Sequence, residues 1–239
     1  MTSHDAHAEE GPAPAPPPAD ELEAQLRALL ATVADGDLRG LLDDLLGAGS
    51  PTWERFRTAP AAKRLHHAWR HGLLEHTLAV AQGVSALAAI FPGVDRDLAL
   101  TGALLHDLGK LDTYAFATSG EGEEARETIE LTDAGRLQGE IVLGHERVRA
   151  AIDARPGFPP ALAEQLLHII LSHHGALAHG SPVVPVTREA TLVHMVDNIG
   201  GKLGSFDRLE RELPEGERWS GWDRAIGSSA WFPRTKSRK

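Results

Sequence analysis

Cysteine does not occur anywhere in the 239 residues. Its absence excludes disulfides, thiolate zinc sites and a cysteine nucleophile. The chain also lacks any run of about 18 apolar residues, so no transmembrane helix is expected. Its first residues carry no basic stretch followed by an apolar one, and so do not read as a secretory signal. A cytoplasmic location is the default expectation. Aromatic residues make up only 5%, which leaves little surface for stacking bases. Positive charge is short as well: 24 Lys and Arg face 34 Asp and Glu, for a formal net charge of -10. A coat for duplex nucleic acid would be basic, so broad duplex affinity is not expected, although a local basic groove is compatible with the numbers. The imbalance is uneven, since residues 1–24 hold six acids and no Lys or Arg, while residues 234–239 hold four basic residues. What the chain does have is 13 histidines, and the question is where they fall.

With 42% hydrophobic residues, the chain can build one sizeable core but not two comfortable domains. Residues 1–20 are Pro/Ala-rich and acidic, and are expected to be a disordered tail. A helical extension is predicted over 21–60. There Leu22, Leu26, Leu29, Leu30 and Val33, and after the Asp35-Gly36 break Leu38, Leu41, Leu42, Leu45 and Leu46, follow helical spacing. Trp53 and Phe56 mark a further turn beneath the main body. The main domain is expected over 61–209, with helices at 72–91, 95–108, 139–154, 160–174 and 187–209. Pro92-Gly93 and Gly109 act as stops, Gly109 in the position just past a helix end. Gly200-Gly201 weaken the last helix by roughly 1 kcal/mol each. Residues 110–136 read as a polar excursion with a short hairpin around Thr128–Leu131, and 210–239 as an irregular, tryptophan-bearing tail. The fold class is all-α, a helical bundle with two minor strands expected.

A His-Asp dipeptide means little by itself, because 13 His and 15 Asp give roughly one by chance. His4-Asp5, in the tail, is such an accident. His106-Asp107 differs in its setting, LTGALLHDLGKLD. It ends an apolar helix beside Gly109 and Lys110, and a buried Asp is rarely tolerated unless paired or metal-bound. His76 interrupts an apolar helix stripe in HGLLEHTLAV. His145 lies in LGHERV, His173-His174 in IILSHHG and Asp197 in LVHMVDNIG. A metal held in a bundle core by several helices would account for all of these together. Single histidines such as His168 and His194 are better read as hydrogen-bonded residues of the core or surface. His66, His67 and His71 flank a helix start, where they would serve as caps or substrate contacts. His4, His7 and His179 read as solvent residues.

The ordered pattern of His76, His106-Asp107 and Asp197 resembles the HD superfamily of metal-dependent phosphohydrolases. KRLHHAWRHGLLEHT, LLHDLGK, ILSHHG, GSPVVPVT and EATLVHMVDN resemble, in order and spacing, the HD domain of the YhaM-type 3′-to-5′ exoribonucleases, over roughly residues 21–209. Three departures stand out. That family carries an OB-fold domain ahead of the HD domain, where this chain has only its tail. His71-Gly72 replaces a common Gly-Gly pair. Ile199 follows Asp197-Asn198 where an acid is frequent. The resemblance implies an HD-domain helical bundle with one metal site formed by His76, His106, Asp107 and Asp197. Asp107 would bridge to a second ion held by His145, His173 and His174. It implies one or two divalent ions per chain, Mn²⁺ or Fe²⁺ suiting mixed imidazole and carboxylate ligands better than closed tetrahedral zinc. Catalytic roles would fall to Asp107 and Lys110, and substrate binding to Lys110 and His71. The alternative for Lys110 is an exposed helix-end lysine favoured by the dipole.

The leading expectation is 3′-to-5′ cleavage of short single-stranded RNA or DNA. Without an OB-fold, affinity is expected to level off after a few nucleotides. The alternatives are a phosphohydrolase of free or cyclic nucleotides and a nucleotide-sensing HD module without turnover. No membrane partner is expected, and the sequence does not specify an oligomeric state.

Overall fold

The computed structural model describes residues 18–63, 67–119 and 126–233. His4, Asp5, His7, His66, most of the Pro/Ala-rich tail and the basic run 234–239 lie outside the described residues. The described residues form two compact units, one spanning Ala19–Gly200 and the other made of the residues from Gly201 on together with Pro18.

In the larger unit, helix α1 (Ala19–Leu30) buries Leu22, Leu26 and Leu30 along one face. Helix α2 (Gly36–Leu46) starts where the Asp35 carboxylate accepts the amides of Asp37 and Leu38, satisfying donors that a helix start leaves open. Helix α3 (Pro51–Phe56) opens on Ser50 and Pro51 in the same way, and buries Trp53 and Phe56. Helix α4 (Gly72–Ala88) follows His71, whose φ of 68° is left-handed. A Cβ at Gly72 would come within 2.0 Å of the His67 carbonyl oxygen, so the chain can turn into this helix only at glycine.

Helix α5 (Arg96–Leu105) is the centre of the core. Every residue from Leu98 to Leu105 is buried, and helices from both ends of the unit contribute to the same apolar cluster, from Leu22 to Val196. Beyond it come the single turn α6 (Lys110–Thr113), strands β1 (Tyr114–Ser119) and β2 (Arg126–Leu131), and the helices α7 (Asp133–Gln138), α8 (Glu140–Asp153), α9 (Pro160–Ser172) and α10 (Arg188–Glu212). The strands pair antiparallel from Tyr114↔Leu131 to Ser119↔Arg126. The predicted hairpin is therefore real, and its first strand begins directly after α6.

Gly109 differs from expectation. It sits at φ -66°, ψ -18°, ordinary right-handed backbone, and α5 has already ended at Leu105. A glycine is needed there because of a close approach: a Cβ would lie 1.9 Å from the Glu140 carbonyl oxygen and 2.5 Å from the Gly144 amide nitrogen. The first turn of α8 thus packs directly onto the turn that carries His106 and Asp107. Both neighbours are backbone and cannot rotate away, so Gly109→Ala is expected to cost about 1–3 kcal/mol or more through overpacking. Urea unfolding measures this, and an unchanged midpoint would contradict the packing described.

In the smaller unit, residues 210–233 are more ordered than their sequence suggests. Strands β3 (Trp219–Asp223) and β4 (Ser228–Trp231) form an antiparallel pair, and Leu209, Ala230 and Phe232 make a small core of their own. The register shifts between Trp219 and Trp222. That irregularity breaks the period of two by which a strand is read from sequence.

Candidate metal centre

The larger unit brings polar side chains from five helices and helix ends to one place. α4 carries His76 and the end of α5 carries His106 and Asp107. The end of α9 carries His173 and His174, α8 begins with Glu140, and α10 carries Asp197. His106 and Asp107 have almost no exposed side chain, and His173 is 1% exposed.

Two donor groups result. In the first, His76 Nε2 lies 3.3 Å from His106 Nε2, 3.1 Å from Asp107 Oδ2 and 3.3 Å from Asp197 Oδ1. His106 Nε2 is 3.3 Å from the same Asp107 oxygen and 3.9 Å from Asp197 Oδ1. Two imidazole nitrogens and two carboxylates thus converge on one small volume. The second group is Glu140, His173 and His174, with His174 Nε2 3.1 Å from Glu140 Oε1. Asp107 faces both groups. Its Oδ2 points at His76 and His106, and its Oδ1 lies 3.7 Å from His173 Nε2.

The ring orientations bear on what these groups can hold. His106 Nδ1 donates to the Ala103 carbonyl at 2.7 Å, and His173 Nδ1 to the Ile170 carbonyl at 2.7 Å. His174 Nδ1 does the same to the His179 carbonyl at 3.0 Å. A carbonyl can only accept, so each Nδ1 carries the proton, and Nε2 is the atom left to present a lone pair to a metal. That is the arrangement seen in histidines that bind metals. His173 Nε2 has no hydrogen-bond partner although it is buried, and such an orphan needs an explanation. A cation held between His173, His174, Glu140 and Asp107 would supply one. The donor set therefore fits a divalent metal in both groups.

The charges of the centre pair with one another. Burial disfavours the cationic form of His76, but its hydrogen bonds to Asp107 and Asp197 outweigh burial and raise its pKa to about 9. Burial, with the nearby His106, lowers His173 to about 4 and keeps it neutral. Burial resists ionisation of Asp107, yet the charges on His106 and Lys110 hold it well below the usual carboxylate range. Asp197 is likewise held low against its burial, chiefly by the His76 hydrogen bond. Lys110 Nζ donates to Asp107 Oδ2 at 2.7 Å. Although burial opposes its charge, Asp107 and Glu140 keep the ammonium protonated above its ordinary value.

The fold does not bring every predicted residue to the centre. Among the described residues, His145 is half-buried on α8 and belongs to neither donor group. Glu140, five residues earlier, occupies that place. Five residues on a helix is about 140° of rotation beyond a full turn, so the two side chains leave α8 in different directions. Sequence reasoning passed over Glu140 because an acid in a helix's first turn is already accounted for by the dipole. His71 is occupied structurally, with Nδ1 bonded to the Arg57 carbonyl. Lys110 is not an exposed helix-end lysine: it opens α6 and its side chain is 14% exposed. His168 accepts the Val186 amide, and His194 donates to the His173 carbonyl, which is how single core histidines are usually satisfied. The His194 ring also closes the space above Gly175, where a Cβ would meet it at 2.0 Å. His67 Nδ1 lies 3.3 Å from the Glu75 carboxylate.

Comparison with known proteins adds a family to this geometry. The model of the HD domain matches residues 73–200, a stretch that contains all seven converging side chains. A "3′-5′ exoribonuclease YhaM" of Shouchella clausii (strain KSM-K16) is 36% identical over 163 residues, 67% of this chain and 48% of that protein. Its counterpart in Bacillus subtilis (strain 168) is 35% identical over 161 residues, 66% and 48% of the two chains. The one in Geobacillus sp. (strain WCH70) is 32% identical over 164 residues, 69% and 48%. The chain spans about half the length of these curated relatives. No solved structure matches it.

Proposed function

Because the chain belongs to the HD-domain family, we propose that it is a metal-dependent phosphodiesterase that removes nucleotides from the 3′ end of short single-stranded RNA or DNA. The observation that carries this reading is the convergence of His76, His106, Asp107 and Asp197, with the buried ring nitrogens turned inward by carbonyl bonds. The substrate class follows from the similarity to proteins named as 3′-5′ exoribonucleases.

In this reading His76, His106, Asp107 and Asp197 would hold one ion, and Asp107 with His173, His174 and Glu140 would hold a second. Mixed imidazole and carboxylate ligands favour Mn²⁺ or Fe²⁺. When bound, such ions activate water and neutralise charge on the phosphate. The protein's own part is positional and electrostatic. Carbonyls of Ala103, Ile170 and His179 hold the imidazoles in one tautomer. Lys110 keeps Asp107 ionised and offers its remaining N–H groups to a phosphate oxygen, where developing charge is stabilised. Residues 61–209 form the catalytic domain, and the cytoplasm is its setting.

The test is product analysis with a 5′-labelled single strand and Mn²⁺. Progressive shortening from the 3′ end, releasing mononucleotides, is the expected result. Hydrolysis of free or cyclic nucleotides with the strand left intact would replace this reading with a nucleotide phosphohydrolase. Metal-dependent nucleotide binding without any turnover would make the domain a sensor.

A further inference from the structure

The smaller unit carries three of the chain's five tryptophans, all on the hairpin of β3 and β4 and all exposed: Trp219 by 61%, Trp222 by 67% and Trp231 by 47%. The register explains why they act together. Trp219 lies opposite Trp231, and Trp222 opposite Ser229. Directly opposed residues of an antiparallel pair project to the same side, and so do residues two apart on one strand. Ser229 and Trp231 therefore share a face, and each brings its partner onto it. Trp219 and Trp222 are three apart and would fall on opposite faces of a regular strand. The extra residue taken up between them puts both on one side, as a bulge does. The other side carries Ala230 and leads to Phe232, both buried in the unit's small core.

A two-stranded ribbon thus turns one face to its core and shows three indoles on the other. Solvent-exposed tryptophan clusters on a soluble protein usually mark a binding surface. The surrounding charge narrows the ligand. The Arg218 guanidinium lies over the Trp231 ring at 5.1 Å, and Arg224 is exposed at the turn. Asp223 is held by Arg208 through a 2.5 Å hydrogen bond and by the amides of Ala225 and Ile226. Glu212, which lines a hollow with Trp219 and Trp222, is paired with the same Arg208, and Glu215 and Glu217 precede the strands rather than lying on them. A ligand with flat faces for indoles and negative charge for arginines satisfies both features.

We propose that the Trp219–Trp222–Trp231 face binds single-stranded nucleic acid by stacking unpaired bases on its indoles, with Arg218 and Arg224 on the phosphates. The choice of ligand class rests on the phosphodiesterase reading above. The face itself is independent of the metal centre, and the test separates the two.

The full chain is titrated, with a chelator present so that nothing is cleaved, with an oligouridylate of about twelve residues, while tryptophan fluorescence is followed. The remaining two tryptophans, buried Trp53 and half-buried Trp69, which is bonded to Glu75, contribute the background. Expected are quenching and an affinity that falls with salt. Trp222→Ala and Trp231→Ala should each weaken binding by about five- to a hundredfold, the effect of losing one stacked base. Trp222→Phe should keep most of the affinity, and a duplex of the same length should bind more weakly. Cleavage of a dinucleotide with Mn²⁺, measured separately, should be unchanged in all three variants. If that cleavage is absent in the parent while strand binding holds, the phosphodiesterase reading fails and this face stands. If a folded variant with all three residues changed to Ala binds the strand as tightly as the parent, the face is not the site. If the same variant loses only concentration-dependent self-association, the face joins two copies of the chain and the proposal is overturned.

Discussion

Asp107→Ala is expected to yield a folded protein that carries neither of the two proposed ions, with the proposed hydrolysis reduced by at least about a thousandfold, a loss of roughly 4 kcal/mol or more in transition-state stabilisation. Among the described residues, Asp107 is the one whose two oxygens face different donor groups, Oδ2 towards His76 and His106 and Oδ1 towards His173. Removing it would take a ligand from both proposed ions at once. By contrast, Glu140→Gln or His173→Ala should lower the stoichiometry by about one ion and leave the other in place. His145→Ala should leave both, because His145 stands outside the donor groups. Asp107→Asn keeps the side-chain volume and checks that the loss does not arise from unfolding. Elemental analysis of protein purified without chelator decides the matter. Full occupancy in Asp107→Ala would refute the shared-ligand assignment, and loss of an ion in His145→Ala would return that histidine to the second group.

Lys110→Ala lowers turnover by about ten- to a thousandfold while metal content stays at its parental level, in line with losing about 1.4–4 kcal/mol of charge stabilisation. An ammonium group cannot ligate a cation, so occupancy has no reason to fall. Its nitrogen is 2.7 Å from Asp107 Oδ2 in a nearly closed environment. The variant therefore also takes one cation from a buried carboxylate that keeps His76 beside it. In metal-free protein the thermal midpoint should drop. Added Mn²⁺ should restore most of the midpoint but not the turnover. If turnover is near normal with metal present, Lys110 serves only as the counter-ion of Asp107 and has no part in stabilising the reacting phosphate.

Much of the helical fold could be read from the residues. Leucines at helical spacing mark α1 and α2, and the Asp35-Gly36 break separates them. The helices predicted at 139–154 and 160–174 appear as α8 and α9 within a residue or two. His76, His106, Asp107, His173, His174 and Asp197 stood out because each interrupts an apolar setting, and the fold does bring them together. The small-unit hairpin was missed because its irregular register hides the alternation, and because its core consists of only a few side chains.

The sequence by itself determined the helical class, the breaks, and the polar residues too costly to bury without a partner. Those are local properties: spacing along a helix and the desolvation of a carboxylate or imidazole do not depend on distant contacts. The tertiary structure alone decided three things. It showed that Gly109 is required by the backbone of α8 rather than by a turn. It put Glu140 instead of His145 beside His173 and His174. It turned the two oxygens of Asp107 towards two different groups of ligands. Each depends on the distance and rotation at which α8 and α9 meet the end of α5. Those are set by the packing of side chains far apart in the chain, and periodicity within a single helix carries no record of them.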